Sequence, residues 1–156
     1  MSAVQTPVAE HRLTLAEVLD WLVADRLVDA AAVELMKKER RYYRGAQNPL
    51  VVIAAQKWKG AQRVLSLEAL TEWLAKRVGM DYMHIDPLKI DFAAVTEVMS
   101  SAYATRFRIL PVGLTGKEAV IATAEPYVRD WEQELSRILK LGIRRVIANP
   151  LDIERY

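Results

Sequence analysis

The sequence predicts an α+β fold, with an N-terminal helical subdomain followed by a small sheet whose β-hairpin packs against helices. Three observations carry that prediction. Residues 13–79 repeat apolar side chains at helical spacing behind hydroxyl caps. After Gly79 short extended runs alternate with helical ones. Between them, PVGLTGKEAVIA (Pro111–Ala122) places a glycine-bearing turn between two apolar runs.

The elements follow in order. Residues 1–12 read as a flexible lead-in, and Thr14-Leu15-Ala16-Glu17 has the form of a capping box. Leu15, Val18, Leu19, Leu22 and Val23 then form one buried stripe. Asp29 caps a second helix to about Arg41, and Pro49–Trp58 is a third apolar segment. Ser66 caps a further helix that Gly79 ends. LTLAEVLDWLVADR from Leu13 and LSLEALTEWLAKRV from Leu65 align without gaps, Trp21 over Trp73 and Leu22 over Leu74. That likeness fits an internal duplication, and equally any two capped amphipathic helices.

A boundary near residues 79–90 leads to the second unit, residues 80–150. DYMHID is a short strand broken by Pro87, and Asp91 caps a helix with Phe92, Val95, Val98 and Met99 inward. Phe107–Val112 is a strand, GLTGK a hairpin turn and Glu118–Thr123 the returning strand. Pro126 suits the first turn of a helix with Trp131, Leu135, Ile138 and Leu139 on its face, Gly142 ends it, and IRRVIAN is the last strand.

With 52% hydrophobic and 27% charged residues, the chain has an ordinary globular composition. It has no apolar run of membrane-spanning length and no signal-peptide pattern, so a cytoplasmic location is expected. Zero cysteines exclude disulfides, thiolate catalysis and cysteine-ligated zinc. A net charge of +2 does not by itself argue for nucleic acid, and no nucleic-acid partner is expected.

Few constellations promise chemistry. Only Leu114 and Thr115 separate Gly113 from Gly116, and Glu118 follows Lys117, so the spacing and charge of a phosphate-cradling P-loop both fail. Asp81, His84 and Asp86 include two potential ligands on one strand face, too few for a metal site. No serine–histidine arrangement supports nucleophilic catalysis, and no catalytic residue is assigned. KKERRYYR (Lys37–Arg44) could hold a polyanion, although cations at a helix C-terminus are favoured by the macrodipole alone. Trp21 lies off the main stripe of its helix on a side shared with Ala24 and Val28. This side is the candidate partner-binding face, or one that buries against the neighbouring subdomain.

Taken in order, LSLEALTEWLAKRVGMDYMHIDPLKID, YATRFRILPVG, VIATAEPYVRDWEQEL and RRVIANPLDIERY resemble the N-terminal region of type II secretion and type IV pilus assembly ATPases, the GspE/PilB class. The ordered G-x-x-Y-x-x-x-DPLKID segment, R-F-R-I-L-P strand and A-x-A-x-P junction carry the likeness from about Leu50 onward. The resemblance implies a non-catalytic module that docks a cytosolic hexameric motor to the cytoplasmic part of an inner-membrane platform protein. ATP and magnesium are then expected only in a C-terminal ATPase domain outside this sequence, with residues 151–156 the start of the connector.

Relatives of this region can bind cyclic di-GMP through tandem helical motifs that open with Arg-Leu-Gly and carry an internal glycine and a later glutamine. Here Arg12 and Leu13 match, Thr14 replaces the glycine, Arg26 stands near the internal glycine, and Lys38 or Glu39 near the glutamine. The second unit reads NPLV, also without glycine. The resemblance therefore makes cyclic di-GMP sensing the alternative function, with Arg12 and Leu13 as its candidate residues.

Overall fold

The computed structural model describes residues 10–39, 48–56, 58, 65–90, 93 and 98–155. Helix α1 (Leu15–Ala24) opens on the expected capping box: Thr14 Oγ1 accepts the Glu17 N–H at 3.2 Å, and Glu17 Oε1 accepts the Thr14 N–H at 2.8 Å. Its apolar stripe buries Val18, Leu19 and Leu22 completely. Helix α2 (Ala30–Glu39) follows, with Val33 and Met36 inward. The expected extension to Arg41 lies outside the described residues.

Only part of the third apolar segment is helical, as α3 (Pro49–Ala54). Pro49 sits in the first turn, where its missing N–H costs nothing, and the Asn48 side chain accepts the Leu50 N–H at 2.9 Å. Helix α4 (Leu67–Val78) is capped by Ser66 and ended by Gly79 at φ 72°, both as expected. These helices enclose a core of Leu19, Leu22, Leu50, Ile53, Leu70 and Leu74. Removing each such side chain from water is worth about 1.5–3 kcal/mol. Ile147 and half-buried Tyr82 and Tyr127, from the later part of the chain, join the same core.

The later part departs from expectation at several boundaries. DYMHID makes a single parallel bridge, Tyr82 to Ile147, rather than a strand. Asp86 instead caps a 3-10 turn (Pro87–Lys89) by accepting the Leu88 N–H at 3.0 Å. The helix expected from Asp91 falls mostly outside the described residues. Phe107 ends helix α5 (Ser101–Phe107), capped by Ser100, rather than opening a strand. Arg108 then turns the chain at φ 53° into β1 (Ile109–Leu114).

β1 pairs antiparallel with β2 (Glu118–Thr123), and β2 pairs parallel with β3 (Gly142–Ile147), giving the order β1-β2-β3. The hairpin closes where Thr115 Oγ1 accepts the Lys117 and Glu118 N–H groups at 3.2 and 3.0 Å. The parallel pairing requires a crossover, supplied by α6 (Asp130–Leu139). Pro126 lies in the turn before that helix, not in its first turn. Lys140, at φ 57°, terminates it, whereas Gly142 is already the first residue of β3. Central strand β2 is buried on both faces: Ala119 and Ile121 meet Trp131 and Leu135, while Val120 and Ala122 meet Val146 and Ile153. Ile153 belongs to α7 (Pro150–Arg155), so PLDIER packs as a helix onto the sheet. This is the α+β arrangement expected.

Candidate functional site

An open cleft of about 340 Å³ lies where the segment before α1 meets the α5–β1 junction and the end of β2, lined by His11, Arg12, Arg106, Phe107, Arg108 and Glu125 among others. Each wall has a local reason. Arg108 adopts the left-handed conformation that ends α5, its N–H bonded to the Thr105 carbonyl at 3.3 Å, and this sharp turn brings Arg106 and Arg108 to the same cleft. Residues 10–13, expected in part as a flexible lead-in, are tied down: the His11 N–H donates to the Tyr127 carbonyl at 3.2 Å, and Glu10 accepts the Arg129 N–H at 3.1 Å. The His11 ring stacks on Tyr127 at 5.2 Å and bonds Glu17 at 3.0 Å.

Glu125 forms the floor. It is only 6% exposed, and Oε1 accepts the Leu13 N–H at 2.8 Å across 112 residues of sequence. Burial pushes its carboxyl pKa up, while the Leu13 N–H and the charges of Arg12 and Arg108 pull it back. Three guanidiniums share the cleft with the carboxylates of Glu10, Glu125 and Asp130, so any anion with planar, paired acceptors would have to engage the arginines beside these acids.

The candidate residues thus have separate fates. Arg12 lines the cleft, whereas Leu13 is buried and contributes its backbone N–H to Glu125. Arg26, near the place of the motif glycine, is left-handed at φ 58°, and this lets the Leu27 N–H reach the Leu22 carbonyl at 3.0 Å. Trp21, Ala24 and Val28 are not gathered into one open face. Trp21 meets Tyr127 edge-on at 6.3 Å and carries the Arg77 guanidinium over its ring at 5.4 Å, Val28 packs against the helical core, and Ala24 is exposed. Arg106, Arg108 and Glu125 had no role in the sequence reading. Their signal was charge beside apolar residues, two arginines in RFRILP and one glutamate in IATAEP.

Asp81, His84 and Asp86 do not converge: Asp81 pairs with Arg144 at 3.1 Å, Asp86 caps its turn, and His84 faces Glu68. Lys37 of the basic run pairs with Asp20 at 2.5 Å, and residues 40–44 lie outside the described residues. Among the described residues no helix is long and apolar enough to cross a membrane.

Residues 78–156 match the MshEN domain. Over 88 residues, 56% of this chain, the sequence is 40% identical to the type IV pilus assembly ATPase TfpB of Acinetobacter baylyi, of which that match spans 15%. The fold resembles that in the structure of MshE with cdg, covering 92% of this chain and 96% of that one at 18% identity and TM-score 0.57. It also resembles the N-terminal domain of XpsE, covering 93% and 94% at 14% identity and TM-score 0.52.

Proposed function

Because this chain belongs to the MshEN domain family, we propose that it is the non-catalytic N-terminal coupling module of a pilus or secretion ATPase, docking the motor to the cytoplasmic part of an inner-membrane platform protein. The observation that carries this reading is the 40% identity to a pilus assembly ATPase over 88 residues, beside the MshEN match. The rest of such a motor would bind ATP and magnesium and would join the chain beyond α7. The module would work in the cytoplasm, peripheral to the membrane through its partner. Its docking contact would come from the outer side of the helical half, where α2 leaves Leu35 exposed while its inner face is buried in the core. Co-elution of the purified chain with the cytoplasmic domain of the platform protein from the same genome tests it. A folded chain that migrates alone would count against docking, and ATP turnover by the chain itself would contradict a non-catalytic role.

A second reading has its own support. MshE, whose fold this chain shares, was solved with cdg, and the cleft brings together Arg12, Arg106 and Arg108, whose guanidiniums can pair with the phosphates of a cyclic dinucleotide. In this reading the chain senses cyclic di-GMP. Calorimetric titration with cyclic di-GMP decides it: binding abolished by Arg12→Ala supports a sensor, and absence of heat at high micromolar ligand removes it.

A further inference from the structure

Away from the cleft, three elements bring a mixed donor set together. Glu68 stands in the first turn of α4, His84 on the extended segment beside β3, and Asp152 in the first turn of α7. One ligand atom from each lies within 4.8 Å of the others, and His84 Nδ1 is 3.5 Å from Glu68 Oε1. Ligand atoms held about 2 Å from a single ion stand roughly 3–4 Å apart, so small side-chain rotations would close the set. The His84 side chain, 63% exposed, has room for that rotation.

Glu68 and Asp152 bring two carboxylates close together, a juxtaposition that repels unless a positive charge sits between them. Glu68 is already oriented: the Asn149 side-chain amide donates to its Oε1 at 3.0 Å, and the Tyr82 hydroxyl donates to its other oxygen. Metal-ligating carboxylates are held by outer partners in this way. Asp152, in contrast, makes no hydrogen bond or ion pair with the other described side chains, and its carboxylate is left to face the imidazole and Glu68. One imidazole nitrogen with two carboxylates is a donor set for borderline divalent ions rather than for calcium or magnesium.

We propose that Glu68, His84 and Asp152 bind one divalent transition-metal ion of the zinc class, clamping the first turn of α7 to the first turn of α4. Water would fill the fourth position. The clamp would join the helical core to the last helix described, beside the bond from Asn149 to Glu68.

The test is titration of the chelator-treated, tag-free chain with zinc by calorimetry, and with cobalt by visible absorption. The expected result is one equivalent bound, a raised melting temperature, and a tetrahedral cobalt spectrum. His84→Ala and Asp152→Asn should each weaken zinc by at least about tenfold, and Tyr82→Phe by about ten- to a hundredfold as an outer-partner loss. His11→Ala, which removes the other histidine and its Glu17 pair, should leave zinc binding unchanged. No heat with zinc, or binding that survives His84→Ala or is lost in His11→Ala, would overturn the proposal. Circular dichroism confirms that each variant is folded; exposed His84 decides the matter if Asp152→Asn is not.

Discussion

Helices α1 and α4 begin alike and end differently. Each opens on a hydroxyl cap whose oxygen accepts the N–H three residues on, at 3.2 Å for Thr14 and 3.1 Å for Ser66. Each closes with a left-handed residue and a six-to-one backbone bond, Leu27 N–H to the Leu22 carbonyl at 3.0 Å and Met80 N–H to the Ala75 carbonyl at 2.9 Å. The closing residue is Arg26 in α1 and Gly79 in α4. In the ungapped alignment Arg26 stands over Val78, so α4 turns one residue later. The difference teaches that the turn geometry survives without glycine. What α1 loses is conformational ease and the close backbone approach that a glycine permits a ligand.

The sharpest way to break the comparison is to exchange the two terminators. Gly79→Ala meets no atom within 4 Å, so its cost is conformational alone, about 1–2 kcal/mol of stability in urea denaturation. Arg26→Gly relieves the same strain and should stabilise by about 1 kcal/mol, net of the added freedom of the unfolded chain. If both changes destabilised equally, the two ends would not be the same device.

A second, smaller effect lies where the two units touch. Asp25, the C-cap of α1, accepts the Trp73 indole N–H at 2.8 Å and pairs with Arg77. The pair is about a third exposed, so solvent screening discounts it, and Asp25→Ala should cost about 1 kcal/mol. It should also red-shift or quench tryptophan fluorescence, because Trp73 loses its acceptor. Unchanged stability and emission would mean that the units adhere through their apolar core alone.

The smallest effect is a change of slope with pH. Burial raises the folded-state pKa of Glu125 above its unfolded value, so the folded chain holds that proton more readily. Its contribution to stability is full below the ordinary carboxylate range and is lost as pH rises through the raised folded value. Relative to Glu125→Gln, the wild-type chain should therefore gain stability as pH falls from neutral through that window. Identical pH profiles would show that the floor of the cleft is solvated.

The same comparison explains how much was legible in the sequence. Thr14 with Glu17, Ser66 with Gly79, and Thr115 before Gly116 act on neighbours within a few residues, so their chemistry can be read along the chain. Gly142 and Pro126 misled because a glycine or proline signals a turn nearby without fixing its position; Lys140 took the left-handed place instead. The short helix capped by Ser100 was missed because the apolar alternation from Phe107 onward masked its end. The cleft and the Glu68 cluster were invisible for a different reason. Leu13 with Glu125, and Glu68 with Asn149, meet across most of the chain, and no local pattern encodes such meetings. Asp25 with Trp73, and Arg77 over Trp21, likewise join helices far apart in sequence, and fit the reading of the Trp21 side as one that buries within the molecule.

We propose that this chain couples a motor to its membrane platform. Calorimetric titration of the folded chain with the cytoplasmic domain of the platform protein tests it most directly. Saturable binding at a one-to-one ratio is expected, retained when cyclic di-GMP is omitted. Absence of heat, both from the chain alone and from the chain joined to its motor domain, would contradict it.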